Sequence, residues 1–152
     1  MRERSFRDDM NFLSPPEPDL SQASEDLLVV DDDSRLRRLL GIYCTEKQLK
    51  VSCAASAMEA IDLLKSRRFN AVLTDFQMPV INGFELAQWI RKNKPDVRVC
   101  LMSSEIFTRD ARALIDTVID RWLAKPFSTG DLDECLNGVI PHRRSRAGDC
   151  QA

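Results

Sequence analysis

The sequence predicts an α/β protein: a five-stranded parallel sheet, doubly wound by helices on both faces, in five successive βα units. Three observations carry this. Short apolar runs alternate with stretches of helical periodicity from Asp26 to Val139. The first run, Leu27-Leu28-Val29-Val30, is unbroken, as in a strand buried on both faces. The length of 152 residues suits one domain of ordinary size.

The elements follow in order. After the Leu27–Val30 strand, Asp33-Ser34 is a suitable helix start, and Leu36, Leu39, Leu40 and Tyr43 then fall on one helical face. Arg35, Arg37 and Arg38 are expected on its solvent side. Val51–Ala54 is the second strand, and Ala60, Ile61 and Leu64 line a helix beginning near Ala57. Ala71–Thr74 is the third strand, with a loop from Pro79 to Gly83. Phe84, Leu86, Ala87 and Ile90 mark a helix ended by Asn93-Lys94-Pro95, since the residue before proline leaves the helical region. Val97–Met102 is the fourth strand, Ala111, Leu114, Ile115 and Val118 a weaker helix, and Arg121–Ala124 the fifth strand. Leu132, Cys135, Leu136 and Val139 line the last helix.

The organisation is therefore a domain over residues 26–140, a polar N-terminal arm over 1–25 carrying Pro15-Pro16-Glu17-Pro18, and a C-terminal tail over 141–152. A formal net charge of -2 argues against a dominant nucleic-acid or membrane surface. No apolar run approaches the roughly 20 residues of a membrane span, and the N-terminus lacks the apolar stretch of a secretory signal. Five cysteines without CxxC spacing are expected to be reduced, structural thiols in a cytoplasmic protein. One histidine, His142, makes a zinc site or His-dependent catalysis a poor reading.

Chemistry concentrates at the strand ends. Right-handed crossovers bring all the C-terminal strand ends to one edge of a parallel sheet, where ligands bind near the strand-order switch. Asp31, Asp32, Asp75, Ser103 and Lys125 all fall there. Two carboxylates about 4 Å apart repel by roughly 4 kcal/mol at an effective dielectric near 20. A divalent cation and the Lys125 ammonium would relieve that repulsion. Oxygen ligands in small number suit Mg²⁺, which keeps several waters and completes its shell with phosphate. Asp75 is then placed to attack phosphorus, in a reaction that asks mainly for positioning and charge stabilisation.

These residues resemble the receiver domain of two-component response regulators. The resemblance rests on Val29-Val30-Asp31-Asp32-Asp33, Thr74-Asp75-Phe76-Gln77-Met78-Pro79, Asn82-Gly83, Met102-Ser103-Ser104-Glu105 and Trp122-Leu123-Ala124-Lys125-Pro126-Phe127, in that order. It covers Asp26 to Val139 and implies the flavodoxin-like receiver fold. It further implies that Asp75 accepts a phosphoryl group from a histidine of a sensor kinase or histidine phosphotransfer protein. Asp31, Asp32, Asp75 and the Gln77 carbonyl would hold Mg²⁺, and Lys125 would pair with phosphoryl oxygens. Ser103 would be the switch hydroxyl and Trp122 the coupled aromatic, whose inward rotation reshapes the face of the fourth helix, fifth strand and fifth helix. Gln77 and Glu105 match positions that tune dephosphorylation. Ser103 stands where Thr is commoner, Trp122 where Tyr or Phe is usual, and Ala57 where glycine is usual. Val118-Ile119-Asp120 lacks the glycine expected before the fifth strand.

The expected function is that of a stand-alone, non-enzymatic signalling module, acting through altered protein contacts or phosphorelay on a downstream protein target. Two other readings compete. A degenerate receiver could serve as a phosphorylation-independent scaffold; intact Asp32, Asp75 and Lys125 argue against it. An aspartate-nucleophile phosphatase of the haloacid-dehalogenase type needs a general acid two residues after the nucleophile, and Gln77 is an amide.

Overall fold

The structure, a computed structural model, describes residues 24–140. The tail expected after residue 140, and the expected arm up to residue 23, lie outside the described residues. Five strands, β1 (Ser24–Val30), β2 (Val51–Ala54), β3 (Arg68–Asp75), β4 (Arg98–Ser103) and β5 (Arg121–Ala124), form one sheet. All neighbours pair parallel, in the order β2-β1-β3-β4-β5. Between and after them run α1 (Ser34–Glu46), α2 (Ala57–Ser66), α3 (Gly83–Asn93), α4 (Arg109–Asp116) and α5 (Thr129–Val139). This is the doubly wound (βα)₅ fold that the alternation predicts.

Each buried strand feeds two cores, because successive side chains point to opposite faces. Leu28 and Val30 of β1 pack with Val72, Val99 and Leu101 beneath α2, α3 and α4. Leu27 and Val29 pack with Ala71, Leu73, Cys100 and Met102 beneath α1 and α5. A run without polar interruptions is what this double burial demands. β1 starts earlier than expected: Ser24 and Glu25, polar enough to read as part of the arm, pair in register with Arg68 and Phe69. The Glu25 carboxylate is satisfied by Arg67, at 3.0 Å, and by the Ser52 hydroxyl, so its polarity does not exclude it from the sheet.

Helix starts follow the side chains that cap them. The Asp33 carboxylate accepts from the N–H groups of Arg35 and Leu36, fixing α1 one residue beyond the acidic turn. Ser56 and Thr108 cap α2 and α4. Asn82 with Glu85, and Ser128 with Asp131, make reciprocal capping boxes at α3 and α5. Two predicted faces shift. Leu39 on α1 and Leu114 on α4 are mostly exposed, while Cys44 and Ile115 are buried. A short helix whose apolar residues cover more than one face cannot bury them all.

The expectation of reduced cysteines is corrected at one pair: Cys100 on β4 and Cys135 on α5 form a disulfide. They lie 35 residues apart and meet only because α5 packs on β4, which no local spacing signals. Cys44 is buried in α1 and Cys53 is exposed on β2.

Gly83 ties α3 to the site. A Cβ there would lie 2.2 Å from the carbonyl oxygen of Asp75 and 2.8 Å from Leu101 Cδ1. Its N–H donates to Phe76 O at 2.8 Å, so helix and strand end are in direct main-chain contact. Gly83→Ala is expected to lower stability by about 3 kcal/mol, by overpacking against backbone that cannot give way. Urea unfolding, with the slope checked for constancy, measures it.

Candidate functional site

The C-terminal ends of β1, β3, β4 and β5 enclose an open acidic depression. It lies beside the junction of β1 and β3, where the strand order reverses. Asp31 follows β1 directly, and its backbone N–H still pairs with Ala54 O of β2 at 3.2 Å. Asp75 is the last residue of β3, held in the ladder opposite Met102. Both are buried, whereas Asp32 faces solvent. One oxygen from each of Asp31, Asp32 and Asp75 lies within 4.8 Å of the other two.

Lys125, the residue after β5, reaches into this group. Its ammonium donates to Asp75 Oδ1 at 2.8 Å and stands 3.6 Å from Asp31 Oδ2, beyond hydrogen-bond reach. Burial alone would lower the Lys125 pKa. The Asp75 hydrogen bond and the charges of Asp75 and Asp31 outweigh burial and hold it above the ordinary lysine value. Asp31 shifts upward. Burial pushes its carboxyl up, the Asp33 N–H bond and the Lys125 charge oppose this, and the Asp75 and Asp32 charges add to it. Asp31 Oδ1 accepts that N–H at 2.8 Å, but the buried Oδ2 has no hydrogen-bond partner.

That orphaned oxygen, in a cluster of three carboxylates, fits a divalent cation such as Mg²⁺. The donors are all oxygen, and they leave room for water or phosphate in the shell. The raised pKa of Asp31 means that protonation favours the fold. Its stabilising contribution is present below the ordinary aspartate value and is lost as pH rises through the higher folded value. Asp31→Asn is therefore expected to stabilise the Mg²⁺-free chain at pH 7 by about 1 kcal/mol. Its thermal midpoint should exceed the parent's, with the gap closing as pH falls, and its gain on adding Mg²⁺ should shrink.

The remaining predicted residues surround this centre. Ser103 ends β4, buried, and its hydroxyl accepts the Glu105 N–H at 3.0 Å. Gln77, two residues after Asp75, donates its side-chain amide to the Glu105 carboxylate across the mouth. Trp122 lies on β5 three residues before Lys125, partly buried, and does not line the depression. Val80 in the β3–α3 loop takes φ 71° and is almost fully exposed, an uncommon backbone for a β-branched residue beside the site.

Arg37 is a residue that sequence reasoning missed. Expected on the solvent face of α1, it donates from Nη1 to Asp31 O at 2.7 Å. Helical side chains lean toward the N-terminus, so an arginine one turn into a helix can reach back to the second residue before its cap. The position of Arg37 four residues after Asp33 was the available signal.

Comparison with known proteins matches this arrangement to one family. Residues 27–137 match the response regulator receiver domain. The chain belongs to that family. The response regulator MprA of Mycolicibacterium vanbaalenii is 31% identical over 123 residues, which are 81% of this chain and 52% of that protein. The autoinducer 1 sensor kinase/phosphatase LuxN of Vibrio harveyi is 26% identical over 90% of this chain and 16% of its own length. The chain thus spans about half, or less, of the curated relatives it matches. Among solved structures, the Thermotoga maritima response regulator TrrA in complex with Mg²⁺–BeF is 28% identical with a TM-score of 0.69, covering 76% of this chain and 99% of that one. Vibrio cholerae CheY4 is 26% identical with a TM-score of 0.70, covering 78% and 100%. As a receiver domain of two-component signalling, the chain carries its acidic depression where its own strand order reverses. No described helix is long and apolar enough to cross a membrane.

Proposed function

We propose that this receiver domain is phosphorylated on Asp75 by a sensor histidine kinase or a histidine phosphotransfer protein in the cytoplasm. The observation that carries the reading is the Asp75 carboxylate, held at 2.8 Å by Lys125 with Asp31 and Asp32 alongside. An Asp75 oxygen attacks the phosphorus of a phosphohistidine. The new O–P bond forms as the P–N bond breaks, and the imidazole leaves with its electron pair and takes a proton from water.

Asp31, Asp32, Asp75 and the Gln77 carbonyl would hold Mg²⁺, which when bound neutralises charge on the transferring oxygens. Lys125 steadies Asp75 before transfer and pairs with a phosphoryl oxygen after it. Ser103 supplies a hydroxyl to the phosphoryl group, and Trp122 responds on β5. Gln77 and Glu105, joined across the mouth, govern how water reaches the acyl phosphate. Gln77 cannot protonate an alkoxide leaving group as a general acid would, so turnover of phosphate esters is disfavoured, which supports a signalling role over a phosphatase. Output then passes to a protein partner or onward by relay.

The test is intact mass after incubation with Mg²⁺ and acetyl phosphate, then with a phosphohistidine donor. Gain of one phosphoryl group, lost on chelating Mg²⁺, is expected. No gain from either donor would favour a phosphorylation-independent scaffold.

A further inference from the structure

Asp31 is buried, yet all but one of its polar atoms are already claimed. Its N–H donates to Ala54 O at 3.2 Å, and its Oδ1 accepts the Asp33 N–H at 2.8 Å. Its carbonyl oxygen accepts from Arg37 Nη1 at 2.7 Å. The remaining atom is Oδ2, the buried oxygen without a hydrogen bond, 3.6 Å from the Lys125 ammonium. A residue held at three atoms has little freedom to turn the fourth, so the three bonds together aim Oδ2.

Two of those bonds are made by main-chain groups. Only Arg37 contributes a side chain to them, and it grips the acidic turn twice. Its own N–H closes the first turn of α1 on Asp33 O at 3.0 Å, while its guanidinium reaches two residues further back. The carbonyl it holds belongs to the peptide joining Asp31 to Asp32. A planar peptide fixed at its oxygen also fixes the direction in which the chain enters Asp32. Arg37 does this from behind, since it does not line the depression. The packing of α1 makes the reach possible. At Gly41, one turn further along the same face, a Cβ would lie 3.2 Å from Cys53 Sγ, so the helix runs close along β2.

We propose that Arg37 is a positioning residue of the metal site. Through the Asp31–Asp32 peptide it sets the carboxylates of both residues for a divalent cation, without lining the site itself. The proposal rests on the reading that Asp31, Asp32 and Asp75 hold Mg²⁺. Two effects of Arg37 have opposite signs, which makes the role separable. As a nearby positive charge it repels a cation, so deleting it would tighten cation binding. As the partner of the Asp31 carbonyl it orders the ligands, so deleting it loosens binding. A carbonyl stripped of its partner turns toward water, and the peptide turns with it. Loss of a residue that orients metal ligands costs about ten-fold or more in affinity, more than a charge screened by water returns.

The experiment titrates the full chain with Mn²⁺, which carboxylate oxygens accept as they do Mg²⁺, and reads free Mn²⁺ by its paramagnetic resonance. Displacement of bound Mn²⁺ by Mg²⁺ gives the second affinity, and circular dichroism at the same temperature checks that each variant is folded. Arg37→Met keeps the stem without the donor and is expected to weaken both affinities by about ten-fold. Arg38→Met removes the same charge from an exposed position one residue on, and is expected to bind no more weakly than the parent. Arg37→Lys restores a charged donor of similar length and is expected to recover most of the loss. Arg37→Met binding as tightly as the parent or tighter, with or without a fall in its thermal midpoint, would overturn the positioning role and leave the metal site standing. Equal weakening by Arg38→Met, or Arg37→Lys no better than Arg37→Met, would do the same. No Mn²⁺ binding by the parent would overturn the metal reading and this role together.

Discussion

Asp75→Ala is expected to take up no phosphoryl group from acetyl phosphate or a phosphohistidine, and to unfold at a higher temperature than the parent when Mg²⁺ is absent. The first half follows from the proposal that Asp75 is the nucleophile. Asp75 is the acidic residue that Lys125 holds by a hydrogen bond, at 2.8 Å. The second half follows from charge. In the parent, three carboxylate oxygens crowd within 4.8 Å with one ammonium to offset them. Each carboxylate pair repels by about 3–4 kcal/mol at an effective dielectric near 20, before screening. The bond from Lys125 returns about 1.5–3 kcal/mol as a hydrogen bond to a charged group. Removing Asp75 deletes two repulsions and one attraction, and leaves Lys125 free to close on Asp31 Oδ2. The strand survives, because Asp75 is held opposite Met102 by main-chain bonds. A net gain of about 1 kcal/mol is expected, since neutralising a strained buried charge is often stabilising. Saturating Mg²⁺ should reverse the order, as the parent gains more from the metal than the variant does. Labelling of the variant at the parent's level would show that another residue is the acceptor.

Lys125→Ala has the opposite sign. It leaves Asp31 and Asp75 buried without their cation, and removing one partner of a buried pair costs about 3 kcal/mol. Mg²⁺ should recover much of that loss, since it supplies the missing positive charge. Because the Lys125 pKa is raised, its contribution is fully present below the ordinary lysine value near 10.4 and disappears only as pH climbs through the higher folded value. The deficit therefore persists on the alkaline side of neutrality until that ordinary value is reached. It should narrow on acidification, as the Asp31 carboxyl, its pKa already raised by burial, takes up a proton. Thermal midpoints across pH, with and without Mg²⁺, measure all of this. A deficit that Mg²⁺ does not touch would mean that Lys125 stabilises the fold by packing rather than by charge.

Much of this site was legible before the fold. Asp31, Asp32, Asp75, Ser103 and Lys125 each stand directly at or after an apolar run, and a parallel sheet delivers such positions to one edge. Capping was similarly local at α1, where Asp33 announces the helix within three residues of the bonds it makes. The failures share a cause. Glu25 looked like arm because its polarity is compensated by Arg67, 42 residues away. Cys100 and Cys135 looked like separate core thiols. Arg37 looked like solvent face because its reach back to Asp31 depends on the chain's turn before α1.

The order of apolar runs, helical periods and strand-end side chains was enough to determine the five βα units, the reactive edge and the residues on it. These depend on period and on neighbours close in the chain, which a sequence records directly. Tertiary structure alone decided how the charges share one ammonium, which buried carboxylate oxygen is left without a hydrogen bond, and what grips Trp122. Phe76, Phe107, Arg112 and Asp116 come from β3's exit, the segment after β4, and α4, and their contacts exist only once those elements are packed. Distances between side chains remote in sequence set Coulomb and ring interactions, and no local pattern encodes such distances.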